Sequence, residues 1–142
     1  MTVDLRTRYL GLELRSPLVA SPSPLTGELD SALALVEAGA GALVLPSLFE
    51  EEILHEELEM NRSLEAGTNS FAEALDYFPA IEAFAFGGDR YLEHLRKLKA
   101  ASAVPVIASL NAATPGGWVR YARLMQDAGA DAIELNLYHL AA

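Results

Sequence analysis

The chain has 142 residues, which suits one average domain and is too short for two of ordinary size. At 51% hydrophobic and 21% charged residues it is not a disordered segment. Twenty acidic residues against ten basic ones give a net charge of −10, which argues against nucleic-acid and anionic-membrane surfaces, and the absence of cysteine removes disulfides, thiolate metal sites and a Cys nucleophile.

In chain order, Val3–Leu5 and the alternating run Tyr9-Leu10-Gly11-Leu12-Glu13-Leu14 predict an N-terminal β-hairpin. Pro17–Ser21 reads as a buried first strand. Leu29, Leu33 and Val36 recur at helical spacing behind Thr26, the predicted cap of the first helix. Ala42–Leu45 is the second strand. From Phe49 to about Leu64 an acidic amphipathic helix is expected, with Ile53, Leu54 and Leu58 inward and the glutamates of Glu50–Glu59 on a solvated face. Residues 65–88 form a long, partly irregular excursion, whose Phe78, Phe84 and Phe86 would cover a site mouth or anchor the loop. Asp89 is the predicted cap of a helix with Leu92, Leu95 and Leu98 inward. Val104–Ser109 is the third strand, with Pro105 at its start. Thr114-Pro115 opens a helix carrying Trp118, Tyr121, Ala122 and Met125, and Ala132–Leu137 is the fourth strand.

Two segments repeat each other. Glu37–Leu45 and Asp127–Leu135 share Ala, Gly, Ala, Ala and Leu at matching positions, each reading as a helix end, a left-handed glycine and a strand. Repeated βα units of this kind build parallel α/β folds. Four parallel strands with their helices, preceded by a hairpin, predict the first half of a (β/α)₈ TIM barrel, since a whole one takes ~250 residues. On this reading residues 1–142 are the N-terminal half of the domain, cut after its fourth strand. The competing reading is a small doubly wound sheet, which would ordinarily cover its last strand with a helix. The opening residues Met1–Arg6 lack an apolar signal core, and no run of ~18 apolar residues spans a membrane. A cytoplasmic protein is expected.

In a barrel the chemistry collects at the C-terminal strand ends. Those ends read Ala20-Ser21, Pro46-Ser47, Ser109-Leu110-Asn111 and Asn136. They are neutral donors and acceptors suited to a planar heterocycle, and an Asn amide can pair with an imide edge. The same residues also start loops by bonding nearby backbone. His55, His94 and His139 are widely separated, and no His/Asp/Glu set has metal-ligand spacing. Gly116-Gly117 follows no phosphate-loop pattern.

Several motifs resemble one family in order and spacing: Tyr9–Ser21, Val44-Leu45-Pro46-Ser47-Leu48-Phe49-Glu50-Glu51, Thr68-Asn69-Ser70-Phe71, Ile107–Asn111, Pro115-Gly116-Gly117-Trp118 and Ala128–Asn136. Together they are similar to the N-terminal half of dihydroorotate dehydrogenase-like flavoproteins, FMN-containing (β/α)₈ barrels about twice this long. The resemblance implies FMN as cofactor, contacted by Ala20, Ser21, Ser47, Asn111 and Asn136. It implies a pyrimidine-type substrate held by Asn69 and Asn136, a place in pyrimidine biosynthesis, and a homodimer at full length. Two departures stand out. Where the family carries a lysine at the end of the second strand, this chain has Pro46, and where the family's Cys or Ser base follows the fourth-strand asparagine, it reads Leu137-Tyr138-His139. His139 is the candidate base, its ordinary pKa of ~6.5 suiting that work. The alternatives are a flavin oxidoreductase acting on another cyclic amide or unsaturated substrate, and an inactive, self-associating half-barrel.

Overall fold

A computed structural model of the chain describes residues 3–68 and 87–137. The first element is an antiparallel hairpin of β1 (Thr7–Tyr9) and β2 (Leu12–Leu14), with Arg8 ion-paired to Glu13 across it. Its two-residue turn is Leu10-Gly11, with φ of 53° and 79°. Two consecutive positive φ values are the geometry of a tight hairpin turn, whose twist matches that of the strands. The hairpin therefore folds in the middle of the alternating run, and Val3–Leu5 is not one of its strands.

A four-stranded parallel sheet follows: β3 (Val19–Ala20), β4 (Ala42–Phe49), β5 (Val106–Asn111) and β6 (Ala132–Leu135), side by side in chain order. Helix α1 (Pro24–Gly27) and α2 (Leu29–Glu37) connect β3 to β4. Helices α3 (Glu50–Thr68) and α4 (Gly87–Ala101) lie between β4 and β5, and α5 (Pro115–Asp127) lies between β5 and β6. Thr26 sits inside α1 rather than capping α2. The extended backbone of Glu28 (φ −118°, ψ 137°) separates the two helices. Asp89 does not cap α4 either: the helix begins at Gly87, whose N–H donates to Glu56 Oε2 at 2.8 Å.

The two faces of the sheet differ. Leu43, Leu45, Leu48, Val106, Ala108 and Leu110 pack against residues of the helices, such as Val36, Leu95, Leu98 and Met125. The opposite face carries Ala42, Val44 and Ile107, covered by Leu14 of the hairpin. Helices on one face, strands in unbroken sequential order and a concave inner face are barrel features; a doubly wound sheet reverses its order and has helices on both faces. The fold is α/β, a partial TIM-barrel-like arrangement. The four described strands do not close.

The sequence repeat is a pair of matching helix caps. After α2, Ala40 N bonds Leu35 O and Gly39 N bonds Val36 O; after α5, Ala130 N bonds Met125 O and Gly129 N bonds Gln126 O. Both glycines are left-handed, with φ of 110° and 96°, as this cap requires. The residue after each cap then diverges. A Cβ on Gly41 would overlap the Ser16 carbonyl, whereas Asp131 accepts from Val106 N and Lys99 Nζ. Gly41→Ala is therefore expected to lower stability by about 1–3 kcal/mol, measured as the shift in the denaturant midpoint. An unchanged midpoint would mean that the backbones separate freely there.

Helix α3 departs from its predicted packing. Ile53 is buried, but Leu54 and Leu58 are exposed (41% and 57%). Glu50, predicted to be solvated, is buried.

Candidate functional site

Strand periodicity sets which residues reach the concave face. On β5, Ile107, Ser109 and Asn111 alternate inward; on β6, Ala132 and Glu134 do so. On β4 the alternation is reset. Its pairing with β5 shifts between Val44 and Ser47, where Pro46 lacks the N–H a ladder needs. The shift moves the inward position from Pro46 to Ser47, which then stands opposite Ser109. Ser109 is in turn opposite Glu134. The departure seen in the sequence, proline for lysine, thus presents a hydroxyl to the interior.

The bulge has a second consequence. Leu43 N bonds Pro105 O, so the odd-numbered residues of β5 turn their backbone groups toward β4. At Ser109 those groups meet the irregular stretch. The Tyr91 hydroxyl of α4 takes both: it accepts from Ser109 N at 2.9 Å and donates to Ser109 O at 3.3 Å. Burial pushes the Tyr91 pKa up to about 12, so it stays a donor at any physiological pH. Tyr91→Phe removes one hydrogen-bond partner from each of two buried backbone groups that also lie on the resumed β4–β5 pairing. It is expected to cost about 0.5–1.5 kcal/mol, read by equilibrium unfolding. A loss near zero would show that the strand pairing alone satisfies Ser109.

Four polar side chains meet at the C-terminal ends of β4, β5 and β6. Ser47 Oγ lies 2.8 Å from Ser109 Oγ, and Ser109 Oγ donates to Glu134 Oε1 at 2.8 Å. Asn136 Nδ2 donates to Ser47 Oγ at 2.7 Å and to Ser109 Oγ at 3.1 Å. Asn136 N also bonds Leu110 O, which holds the asparagine in register one residue past β6. Ser109 is fully buried, whereas Ser47, Glu134 and Asn136 are half-buried.

A cavity of about 620 Å³ opens on the concave face, lined by Leu14, Val19, Ser21, Val44, Ile107 and Glu134 among others. The expected contact residues therefore divide. Ser47 and Asn136 join in the polar cluster, and Ser21 lines the cavity. Asn111 lies on the inward parity of β5, two residues beyond Ser109. The Ala20 side chain packs with the helix-side core instead, which leaves only its backbone for a ligand on the concave face. Asn69 and His139 lie outside the described residues, as do Phe78, Phe84 and Phe86. Among the described residues no cluster of His, Asp and Glu could hold a metal, and no helix is long and apolar enough to cross a membrane.

Glu50 sits at the first residue of α3 and points at the start of α5. Its Oε2 accepts from Ala113 N at 2.7 Å and Thr114 N at 2.9 Å, and its Oε1 accepts from Thr114 Oγ1 at 2.8 Å. Burial, the largest single influence, raises its pKa; the hydrogen bonds from Thr114 and Ala113 outweigh it, so the carboxyl stays below its ordinary value. Gly117 makes room, since a Cβ there would overlap the carboxylate. A helix N-terminus is a natural anion site. At α5 the protein fills it with its own carboxylate.

No family model matches the chain. Over 134 residues, 94% of its length, it is 31% identical to the catalytic subunit of dihydroorotate dehydrogenase B (NAD(+)) of Thermoplasma acidophilum. The similarity is to an oxidoreductase. The chain spans 41% of that relative's length, so the match concerns less than half of the larger protein.

Sequence reasoning named the strand ends, but it put Glu50 on a solvated face and gave no role to Tyr91 or Glu134. Glu134 has a legible signal: it lies two residues before Asn136, so both take the inward side of β6. Tyr91 has none, because its partners, the Ser109 backbone groups, are brought to it only by the packing of α4 on β5.

Proposed function

We propose that this chain supplies part of the site of an FMN-dependent oxidoreductase of the dihydroorotate dehydrogenase type, acting on a pyrimidine-like cyclic amide. The observation that carries this reading is the cluster of Ser47, Ser109, Glu134 and Asn136 at the strand ends beside a 620 Å³ concave cavity. Its donors and acceptors suit the edge of a planar heterocycle. Asn136, Ser47 and Ser21 would meet the flavin ring or the substrate, with Asn111 on the same face. FMN, when bound, supplies a two-electron acceptor. The chain's own part is to orient the ring and substrate edges and to exclude water from the inner face. His139 is the proposed base and Asn69 a proposed substrate contact. A cytoplasmic homodimer working in pyrimidine biosynthesis completes the proposal.

A second reading is favoured by one observation. The inner sheet face holds Ala42, Val44, Ser47, Ile107, Ser109, Asn111, Ala132 and Glu134, with no cation among them. The cation that lines the same cavity, Arg8 of the hairpin, is ion-paired to Glu13, so a carboxylate-bearing substrate would have to compete for it, whereas a neutral cyclic amide would not. The two readings separate on reduction of the flavin-loaded protein. Bleaching of flavin absorbance by dihydroorotate supports the first, and bleaching by dihydrouracil alone supports the second. Bleaching by neither removes both.

A further inference from the structure

We propose that Glu134 fixes which way round the Asn136 amide sits, and so requires the ligand to bring an N–H to that point. The argument is proton accounting, and its extension to a ligand rests on the heterocycle reading above. As a carboxylate, Glu134 has lone pairs only, so the Ser109 hydroxyl must donate to it. Ser109 Oγ is then an acceptor for its other neighbours. The Ser47 hydroxyl donates to Ser109, and Ser47 Oγ accepts from Asn136 Nδ2. Every contact in the cluster is satisfied, with Nδ2 turned toward both serines.

The flipped amide fails the same count. Oδ1 would then face Ser47 Oγ and Ser109 Oγ, which also face each other. Those three contacts would share the one remaining proton, that of Ser47, and two pairs of oxygen atoms would meet lone pair to lone pair. Oδ1 consequently points away from the serines. No partner for it lies among the described residues, and no buried side-chain oxygen or nitrogen there lacks one, so Oδ1 is accessible. It presents an acceptor. A cyclic imide or lactam N–H matches it, and an N-alkylated ring does not.

Glu134 acts through Ser109, which makes it a positioning residue. Leucine at this position frees the Ser109 proton to donate to Oδ1 and lets both amide orientations coexist. Glutamine can still accept from Ser109 through Oε1 and should rescue the arrangement. Two measurements test this on the 142-residue chain. The first needs no ligand: side-chain amide exchange of the ¹⁵N-labelled protein, in which wild type and E134Q are expected to show a slowly exchanging Asn136 Nδ2 proton that E134L lacks. The second compares uracil with 1,3-dimethyluracil by titration calorimetry. Wild type and E134Q are expected to prefer uracil about tenfold, as one hydrogen bond provides, and E134L about twofold or less. Solvent-rate exchange of both Asn136 protons in wild type overturns the proposal, as does an undiminished uracil preference in E134L. Should wild type bind neither probe, the heterocycle reading of the site falls, while the exchange rates still decide the amide's orientation.

Discussion

Glu50→Ala is expected to destabilise the protein by about 2–3 kcal/mol, the largest stability loss of any exposed-looking glutamate in the sequence. The variant strands the Ala113 and Thr114 N–H groups, both of which now donate to one carboxylate oxygen, and removes the partner of the Thr114 hydroxyl. Glu50→Gln keeps an acceptor and should lose less. The effect carries a pH signature. Because the carboxyl titrates below the ordinary value of 4.5 when folded, its contribution is fully present above that pH. It is lost as pH falls through the folded-state value. Urea midpoints of wild type should therefore decline below about pH 4.5 more steeply than those of Glu50→Ala. Parallel declines would mean that Glu50 is not ionised in its niche. In the Glu50→Ala background, Gly117→Ala should become nearly harmless, because the overlapping carboxylate is gone.

Asn136→Ala is expected to have the largest functional effect: a drop of roughly 10- to 100-fold in turnover by the flavin-loaded protein, with stability lowered by only about 1 kcal/mol. Its side chain is half-buried and bonds two hydroxyls that also bond each other. Removing it leaves Ser47 and Ser109 able to satisfy themselves, but strips the site of its outward-facing acceptor. Steady-state kinetics beside thermal unfolding check this directly. Intact kinetics with a large fall in melting temperature would make Asn136 a structural residue instead.

These two residues also show what the sequence makes legible. Asn136 is found by simple arithmetic: a strand of known parity, ended by an amide, in a fold whose chemistry sits at strand ends. The helix caps at Gly39 and Gly129 are equally plain, because a local hydrogen-bond pattern demands a left-handed residue whatever surrounds it. Glu50 is the opposite case. It is one of six glutamates among residues 50–59, and nothing local marks one as buried. What buries it is the start of α5, more than sixty residues later in the chain. Ser47 lies between these extremes. Periodicity carried straight through β4 would point Pro46 inward, and only the pairing partner reveals that the proline is the bulge and the serine the inward residue. Leu54 and Leu58 fail for a related reason. Helical spacing defines an apolar stripe, but the neighbouring elements decide how much of it is covered.

The occupied N-terminus of α5 gives the flavin proposal its sharpest consequence. On that proposal the inner face meets a ring, while the start of α5 is already occupied by Glu50, α3 opens with three glutamates, and the net charge of −10 repels a phosphate. The deciding measurement is a fluorescence titration of the 142-residue chain with riboflavin and with FMN at low salt. Weak binding of both is predicted, with affinities within about twofold of each other and quenching reduced in Asn136→Ala and Ser21→Val. FMN binding more than about tenfold tighter than riboflavin, or no quenching by either, would contradict a ring-binding site on this face.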